Sequence, residues 1–586
     1  MKIKTKRLSL AIAGAALFAL AGCGGGGGGS AASAVPSLSI NGTAATGAAI
    51  SNGPVSVKCA SGTGAGTTNA DGSYTITVTN GAFPCLAKVT AADGTVLNSV
   101  VTGTGGTSAT ANITPVTQLI VASLAGGDPA AYFAAFDATA AAGVTTAKVA
   151  TAQSAVVALL KSAGVDFSAL GDLITGTLTP AAGGAAGNAY DVALDALKTA
   201  LTTNNITLGD VAANVVAVSP NVPPTTAGGP AIDPAGVPSL PAELLLKVKA
   251  TTCSALRSTT YRVIAPFPGA PLASQFGSIS VNAATLTITG ANNSTWNWTA
   301  VPNSPCRFIG SQGEEQVISQ AGVVASRDTT NQGATFRPVI GFPLQSHTLA
   351  ELAGVWNNLG TQTTGVAGVF VAAASTGTIN DAGLITGQTL GCFNETTWGL
   401  SGADCSLQTP NTKFAANADG GFDVLNATTN ALNARMFAYR AGGGELMMVV
   451  VGSAGNFLFF TKQRTLGLPP VGRVTTNVGP SIGQNLTIGS TFGAGNQQTI
   501  VSQNTVAGSY VRTAKTIGGT NDHPETVTQN SPRNGHSLRT AATAVPAVDG
   551  TTVNVLEFTA LSLRGMGLTP VVLPAARILV LSVDLP

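Results

Sequence analysis

The sequence predicts a multidomain α+β protein. It should hold an N-terminal β-sandwich, a small α-helical bundle, and a C-terminal antiparallel β region of meanders or barrels. Three observations carry this. Residues 36–112 alternate apolar and polar side chains, with Asp-Gly turns between the runs. Residues 113–218 switch to a 3.6-residue period with capped starts and glycine or asparagine stops. From about Leu244 to the C-terminus, short β-rich runs recur between turn signals.

The first element is an address. Lys2, Lys4, Lys6 and Arg7 precede an apolar run from Leu8 to Leu20. That run is shorter than the roughly 20 residues a resident transmembrane helix needs, and it has the form of an export signal. It ends in Leu20-Ala21-Gly22-Cys23, followed by glycines from Gly24 to Gly29. These residues resemble the lipobox of bacterial outer-membrane lipoproteins. The resemblance implies that residues 1–22 are removed and that Cys23 is the lipid-attachment site. It also implies that residues 23–35 form a flexible tether to the outer membrane, from its periplasmic face or the cell surface.

Within the first β segment, Val55, Val57 and Cys59 alternate with polar residues, as do Tyr74, Ile76 and Val78. The strings Ile40-Asn41-Gly42-Thr43, Gly53-Pro54-Val55-Ser56-Val57 and Thr68-Asn69-Ala70-Asp71-Gly72-Ser73-Tyr74 carry a further resemblance. They are similar to the transthyretin-like, or carboxypeptidase regulatory-like, sandwich domain. In that family the domain is an accessory module without catalysis. No HExxH or HxxE occurs in this chain, so the metallopeptidase that sometimes accompanies it is not expected.

Helices are expected after Thr114-Pro115 to about Leu124, over Ala130–Ala138 after Asp128-Pro129, and over Thr146–Ala163. Two more should follow, over Ala189–Thr202 and Val211–Val216. Residues 219–243 read as a linker, with seven prolines between Pro220 and Pro241. The remainder divides into a β-rich segment at 244–465 with a faint two-fold repeat and a β-rich C-terminal segment at 466–586. The repeat is marked by Tyr261 and Trp356, each followed by hairpins and a Trp-bearing strand. Gly508-Ser509-Tyr510 reads as the weaker opening of a third unit. The string Leu349-Ala350-Glu351-Leu352-Ala353-Gly354-Val355-Trp356 resembles the opening of lipocalin-like barrels, which would imply an inner cavity for an apolar ligand.

Composition narrows function. Charged residues are 9% of the 586 positions, against roughly 25% in an average domain, and the net charge is +2. Without basic clusters past the signal, nucleic acid is not expected as a partner. Setting Cys23 aside leaves six cysteines, an even number in an exported chain. They read as disulfides, with nearest neighbours Cys59 and Cys85, Cys253 and Cys306, and Cys392 and Cys405 paired. No CxxC occurs and only three histidines exist, so neither a metal nor a cofactor is expected.

Little else looks like chemistry. Gly535-His536-Ser537-Leu538-Arg539 lacks the second glycine and the strand-to-helix setting of a nucleophile elbow. Asp522-His523-Pro524-Glu525 reads as a solvated loop rather than a metal site. Trp296 and Trp298 share one face of a strand. With Trp356 they are the candidate ligand-binding residues, as a stacking platform if exposed and as core if buried. The expected function is therefore a non-enzymatic, lipid-anchored binding or adhesion module at the cell envelope. Its partner would be a carbohydrate, an apolar small molecule or a surface protein. One alternative is a lipocalin-like carrier of an apolar small molecule. The other is a secreted hydrolase with a dispersed site using His347 or His523.

Overall fold

The computed structural model describes residues 37–585 apart from 104, 183, 220–238, 330–335, 364–369, 391–406, 409, 443, 445, 454, 484, 489–491, 493, 494, 518–522, 532, 542–544, 547–551, 554–557, 564, 565 and 573–576. The signal, Cys23, the tether, most of the proline-rich linker, and Cys392 and Cys405 lie outside the described residues.

Two sheets form at the N-terminus. One orders strands Ser73–Thr79, Ser37–Thr43 and Ser108–Thr110. The other orders Thr63–Thr67, Pro54–Ser61, Ala82–Thr90 and Val96–Val101. Alternation puts Ile40, Tyr74, Ile76 and Val78 from the first into one core with Val55, Val57 and Val89 from the second. The hairpin at Asn69–Gly72 closes with Gly72 at φ 80°, a left-handed conformation glycine adopts without steric cost. Register sets Cys59 opposite Cys85, and the two are bridged.

Helices Pro115–Ala125, Thr146–Ser162, Ala189–Thr203 and Leu208–Val218 then pack together. Val116, Ile120, Val156, Leu160, Leu194 and Val211 share their core with Leu86 and Val100 of the four-stranded sheet. The bundle thus covers the sandwich's second face. The single helix expected over Ala130–Ala138 is two short ones, Pro129–Ala134 and Ala138–Ala142. The reason is local. The Asp137 side chain accepts from the Ala140 backbone N–H, so this residue starts a new helix rather than continuing the old one.

The C-terminal region is barrel-like throughout. Strands Thr259–Ile264, Phe276–Asn282, Thr287–Gly290, Thr295–Ala300, Arg307–Gly310, Glu315–Ile318, Val324–Thr329 and Phe336–Pro343 form a closed up-and-down barrel. Closure pairs Tyr261 with Pro343 and Val263 with Gly341. A nine-stranded sheet follows between Gly354 and Lys462. Its ends approach through a bridge between Leu384 and Lys413. A third sheet runs from Val474 to Asp584 and closes where Asn477 and Val478 pair with Asp584 and Val583. Tyr261 and Trp356 lie in the first strands of the first two sheets. Gly508-Ser509-Tyr510 does not open the third: Ser509–Thr516 is an interior strand, and the sheet begins at Val474–Val478.

The three sheets share a core between them. Ile264, Val317, Ile340 and Phe342 point outward from the first barrel. They meet Leu359, Phe437, Tyr439, Val449, Phe457 and Phe459 from the second sheet and Val478, Leu579, Leu581 and Val583 from the third. The strand Leu446–Gly452 is buried at every position, one face in each of two cores, so it reads as a continuous apolar run. Polar ties reinforce the contact. Tyr439 Oη donates to the Ala321 carbonyl at 2.5 Å, and Glu315 Oε2 accepts from the Phe492 backbone N–H at 3.0 Å.

One end of the first barrel is closed by strands Lys249–Ala250 and Cys253–Arg257 and by the Cys253–Cys306 bridge. That bridge closes a loop with a sequence separation of 53. Replacing both cysteines with alanine is expected to cost about 2–4 kcal/mol, read as a shift of the urea midpoint of the full chain. An unchanged midpoint would show that the barrel end holds without it.

Candidate functional site

The candidate site is the inside of the first barrel. In a closed antiparallel sheet, directly paired residues point the same way. Pairings Tyr261 with Ile279, Val281 with Ile288, Ile288 with Trp296, Trp298 with Gly310, Phe308 with Gln316, and Gln316 with Ser326 therefore trace the inner wall. Tyr261, Val281, Ile288, Trp298, Phe308, Ile318 and Val324 form one apolar cluster there, with Ile279 and Trp296 partly buried against it. The closed end is the Cys253–Cys306 bridge and Leu256.

Four inward positions are glycine: Gly277, Gly290, Gly310 and Gly341. They are not equivalent. A side chain at Gly310 would collide with Glu314. A Cβ at Gly277 would come no closer to anything than 4.0 Å, at Val263. Gly277, at the end of the barrel opposite the disulfide, would therefore accept a methyl group in ordinary van der Waals contact.

Two polar groups on this wall have no hydrogen-bond partner. Trp298 Nε1, a donor, and Gln316 Oε1, an acceptor, are buried and unpaired among the described residues. The Trp298 ring lies 5.9 Å from that of Phe308, which is paired directly with Gln316. Leaving a buried donor or acceptor unmade costs about 1–3 kcal/mol each, so both are poised for a group that can receive and return a hydrogen bond. The expected exposed stacking platform is not what forms. Trp298 is only 6% exposed and Trp296 is half-buried, because both face inward.

Trp356 differs. It is buried in the second sheet's inner cluster with Phe414, Phe422, Met436, Met448 and Val450. Its Nε1 donates to the Leu352 carbonyl at 2.7 Å, and Lys462 Nζ sits 5.6 Å from the ring centre. The Nε1 bond ties this ring to the helix Leu349–Leu352.

The histidines do not assemble a catalytic centre among the described residues. His347 Nδ1 lies 3.4 Å from Glu351 and its Nε2 3.1 Å from Gln345 Oε1, so neither nitrogen faces a serine. Glu351 is in turn bound by Arg440 at 2.8 Å and caps its helix at Thr348. His536 begins the strand His536–Ala541, without the strand-to-helix turn of a nucleophile elbow.

The string around His523 is corrected. It is not a solvated loop but part of the strand His523–Gln529, and Asp522 lies outside the described residues. Glu525 is wholly buried inside the third barrel, bound by Arg512 Nε at 2.8 Å and by Arg539. Arg512 also donates to Gln498 Oε1 at 2.6 Å. Burial pushes the nearby Asp584 carboxyl up to about 6, against the pull of Arg473 and Arg512. The third barrel's interior is thus polar where the first is apolar. Sequence reading missed this, because Arg512, Glu525 and Arg539 lie on three successive strands and only the register brings them together.

His536 makes a prediction. It is 1% exposed with both ring nitrogens unpaired among the described residues, and burial, with Arg533 nearby, pulls its pKa down to about 4. A base whose folded pKa lies below its unfolded value stabilises the fold above the unfolded value and ceases to do so as pH falls. Stability should therefore drop between about pH 6.5 and pH 4, by at most about 3 kcal/mol. Urea titrations of His536→Leu across this window should show a flatter profile than the parent chain.

No protein-family model matches the chain, and no curated protein matches it. Two solved structures show remote likeness. A protein of unknown function of the DUF3598 family from Nostoc punctiforme aligns with 41% of this chain and 100% of its own, at 11% identity and TM-score 0.14. The isotype 1 transferrin binding protein B of serogroup B Neisseria meningitidis aligns with 53% of this chain, at 8% identity and TM-score 0.17. The match spans 59% of that protein's chain. Likeness at this level assigns no function to the chain.

Proposed function

We propose that this chain is a lipid-anchored binding protein of the outer membrane, without catalysis, and that its first barrel carries a small apolar molecule. The observation that carries the reading is the inner wall of the first barrel: an apolar cluster inside a closed sheet, with the buried Trp298 Nε1 donor and Gln316 Oε1 acceptor unpaired among the described residues. Ligand sites are concave and mostly apolar, with a few placed polar groups, and this wall has that composition. The adhesion alternative rests on exposed aromatics, whereas the tryptophans of the first two sheets that the structure describes face inward. The N-terminal sandwich acts as the accessory module its transthyretin-like strings imply, and with the helical bundle it stands between the membrane anchor and the barrels. The anchor itself rests on the lipobox at Cys23.

Two measurements test this. Cells fed labelled palmitate should label the chain, and Cys23→Ala should abolish the label and release the protein from membranes. For the cargo, the full chain is titrated with a neutral naphthylamine fluorophore. Emission should rise on binding, and Gly277→Phe, which puts a bulky ring on the inner wall, should abolish the rise while the urea midpoint holds. A rise that survives Gly277→Phe would put the ligand elsewhere and overturn the carrier reading.

A further inference from the structure

The end of the first barrel away from the disulfide holds a buried acid on its inner side. Glu314 follows the turn at 310–313 and precedes Glu315, which alternates with Val317 to the outer face. Alternation therefore turns Glu314 inward. Its side chain lies where one at Gly310 would point, and Gly310 is paired with Trp298 on the inner wall. Glu314 is 6% exposed. Its Oε2 accepts from the Gln312 backbone N–H at 2.9 Å, and its Oε1 has no hydrogen bond or ion pair among the described residues. Two further polar groups face the same place. Gln316, two positions along the same face, is 3% exposed with Oε1 unpaired, and Trp298 Nε1 is unpaired across from Gly310.

The remaining charges of this barrel can all be placed. Arg262, Arg307, Glu315 and Arg327 alternate to the outer face. Arg327 does reach the turn, donating to the Gly313 carbonyl at 3.2 Å, but its Nε lies 3.3 Å from Glu315. Inward there are Glu314, Asp328 and Arg337, and no other charged residue stands between Thr259 and Pro343. Asp328 and Arg337 are paired directly, one acid opposite one base. The connections at this end, 265–275, 291–294 and 330–335, contain no charged residue. Two acids against one base leave the inner wall with an excess negative charge, and Glu314 is the acid without a base opposite it.

We infer that the first barrel takes a cationic amphiphile, a long-chain amine, with its ammonium on Glu314 and its apolar body along the inner wall. This rests on the carrier reading and adds the chemical class of the cargo. The ammonium donates to Glu314 Oε1 and Gln316 Oε1, both acceptors without a donor of their own. An ammonium is also attracted to indole rings, and Trp298 stands across from Gly310. Its Nε1, a donor, suits a hydroxyl next to the amine, as in an amino alcohol. The apolar body runs toward the disulfide along Phe308, Ile288 and Val281. Buried charges are ordinarily paired, and charge-assisted hydrogen bonds are stronger than neutral ones. The head group should therefore decide affinity between ligands of equal length.

The test uses the full chain at pH 7 and displacement of the neutral naphthylamine fluorophore by dodecylamine, dodecanol and dodecanoate. The parent chain should bind the amine at least about tenfold more tightly than the alcohol, and the acid most weakly of the three. Glu314→Gln should bring the amine down to the level of the alcohol and leave the alcohol unchanged. Equal affinity for amine and alcohol, a tighter acid, or an amine preference that survives Glu314→Gln would each overturn the assignment to Glu314 while the carrier reading stands. Failure of the fluorophore and all three amphiphiles to bind would overturn both. Where Glu314→Gln does not fold, the order of the three ligands in the parent chain still decides.

Discussion

Closure of the barrel sheets, with both faces buried, is the constraint on which the C-terminal half depends. A strand in a closed sheet sends alternate side chains to the inside and the outside. Here the inside of each sheet is its own core. Much of the outside is a second core shared by all three, built from Phe342, Tyr439, Phe457, Phe459 and Leu581 among others. A one-residue slip in any of these strands would move its apolar set from one core to the other. Register is therefore specified twice, from within and from without.

This arrangement gives a physical reading of the low charge. Strands such as Leu446–Gly452 have no solvent face on which to place lysine or glutamate. Some of the charge that enters the barrels is paired, as at Glu315 and Glu525. The same architecture also carries different chemistry in each interior. The first wall is apolar with two unpaired polar atoms, the second is packed around Trp356, and the third holds an Arg-Glu-Arg cluster. Sheet closure dictates that there is an inside; the side chains at every second position decide what it can hold.

Much of the architecture was legible in the sequence. Helix starts at Thr114 and Asp128 could be read because capping is local, involving residues two or three apart. The same rule was underused at Asp137, where a second cap splits one expected helix. Strand alternation gave away Tyr74–Val78, and it failed at Leu446–Val451 as a guide to which side faces what, because both sides are buried. Trp296 and Trp298 could be assigned to one face, but whether that face meets water or a lumen depends on where the sheet closes. Glu525 was read as loop because Pro524 and the neighbouring polar residues mimic a turn. Its two arginines, each more than ten positions away, supplied what made burial tolerable.

The sequence by itself determined the order of sandwich, helices and β-rich region and the local stops and starts of most elements. These follow from interactions between residues close in the chain. Only the tertiary structure decided that the β-rich region forms barrel-like sheets and that their outer walls share one core. Those outcomes depend on pairings such as Tyr261 with Pro343, set by residues far apart in sequence. Closing such long loops is decided by the sum of many contacts, and no short stretch of sequence contains that sum.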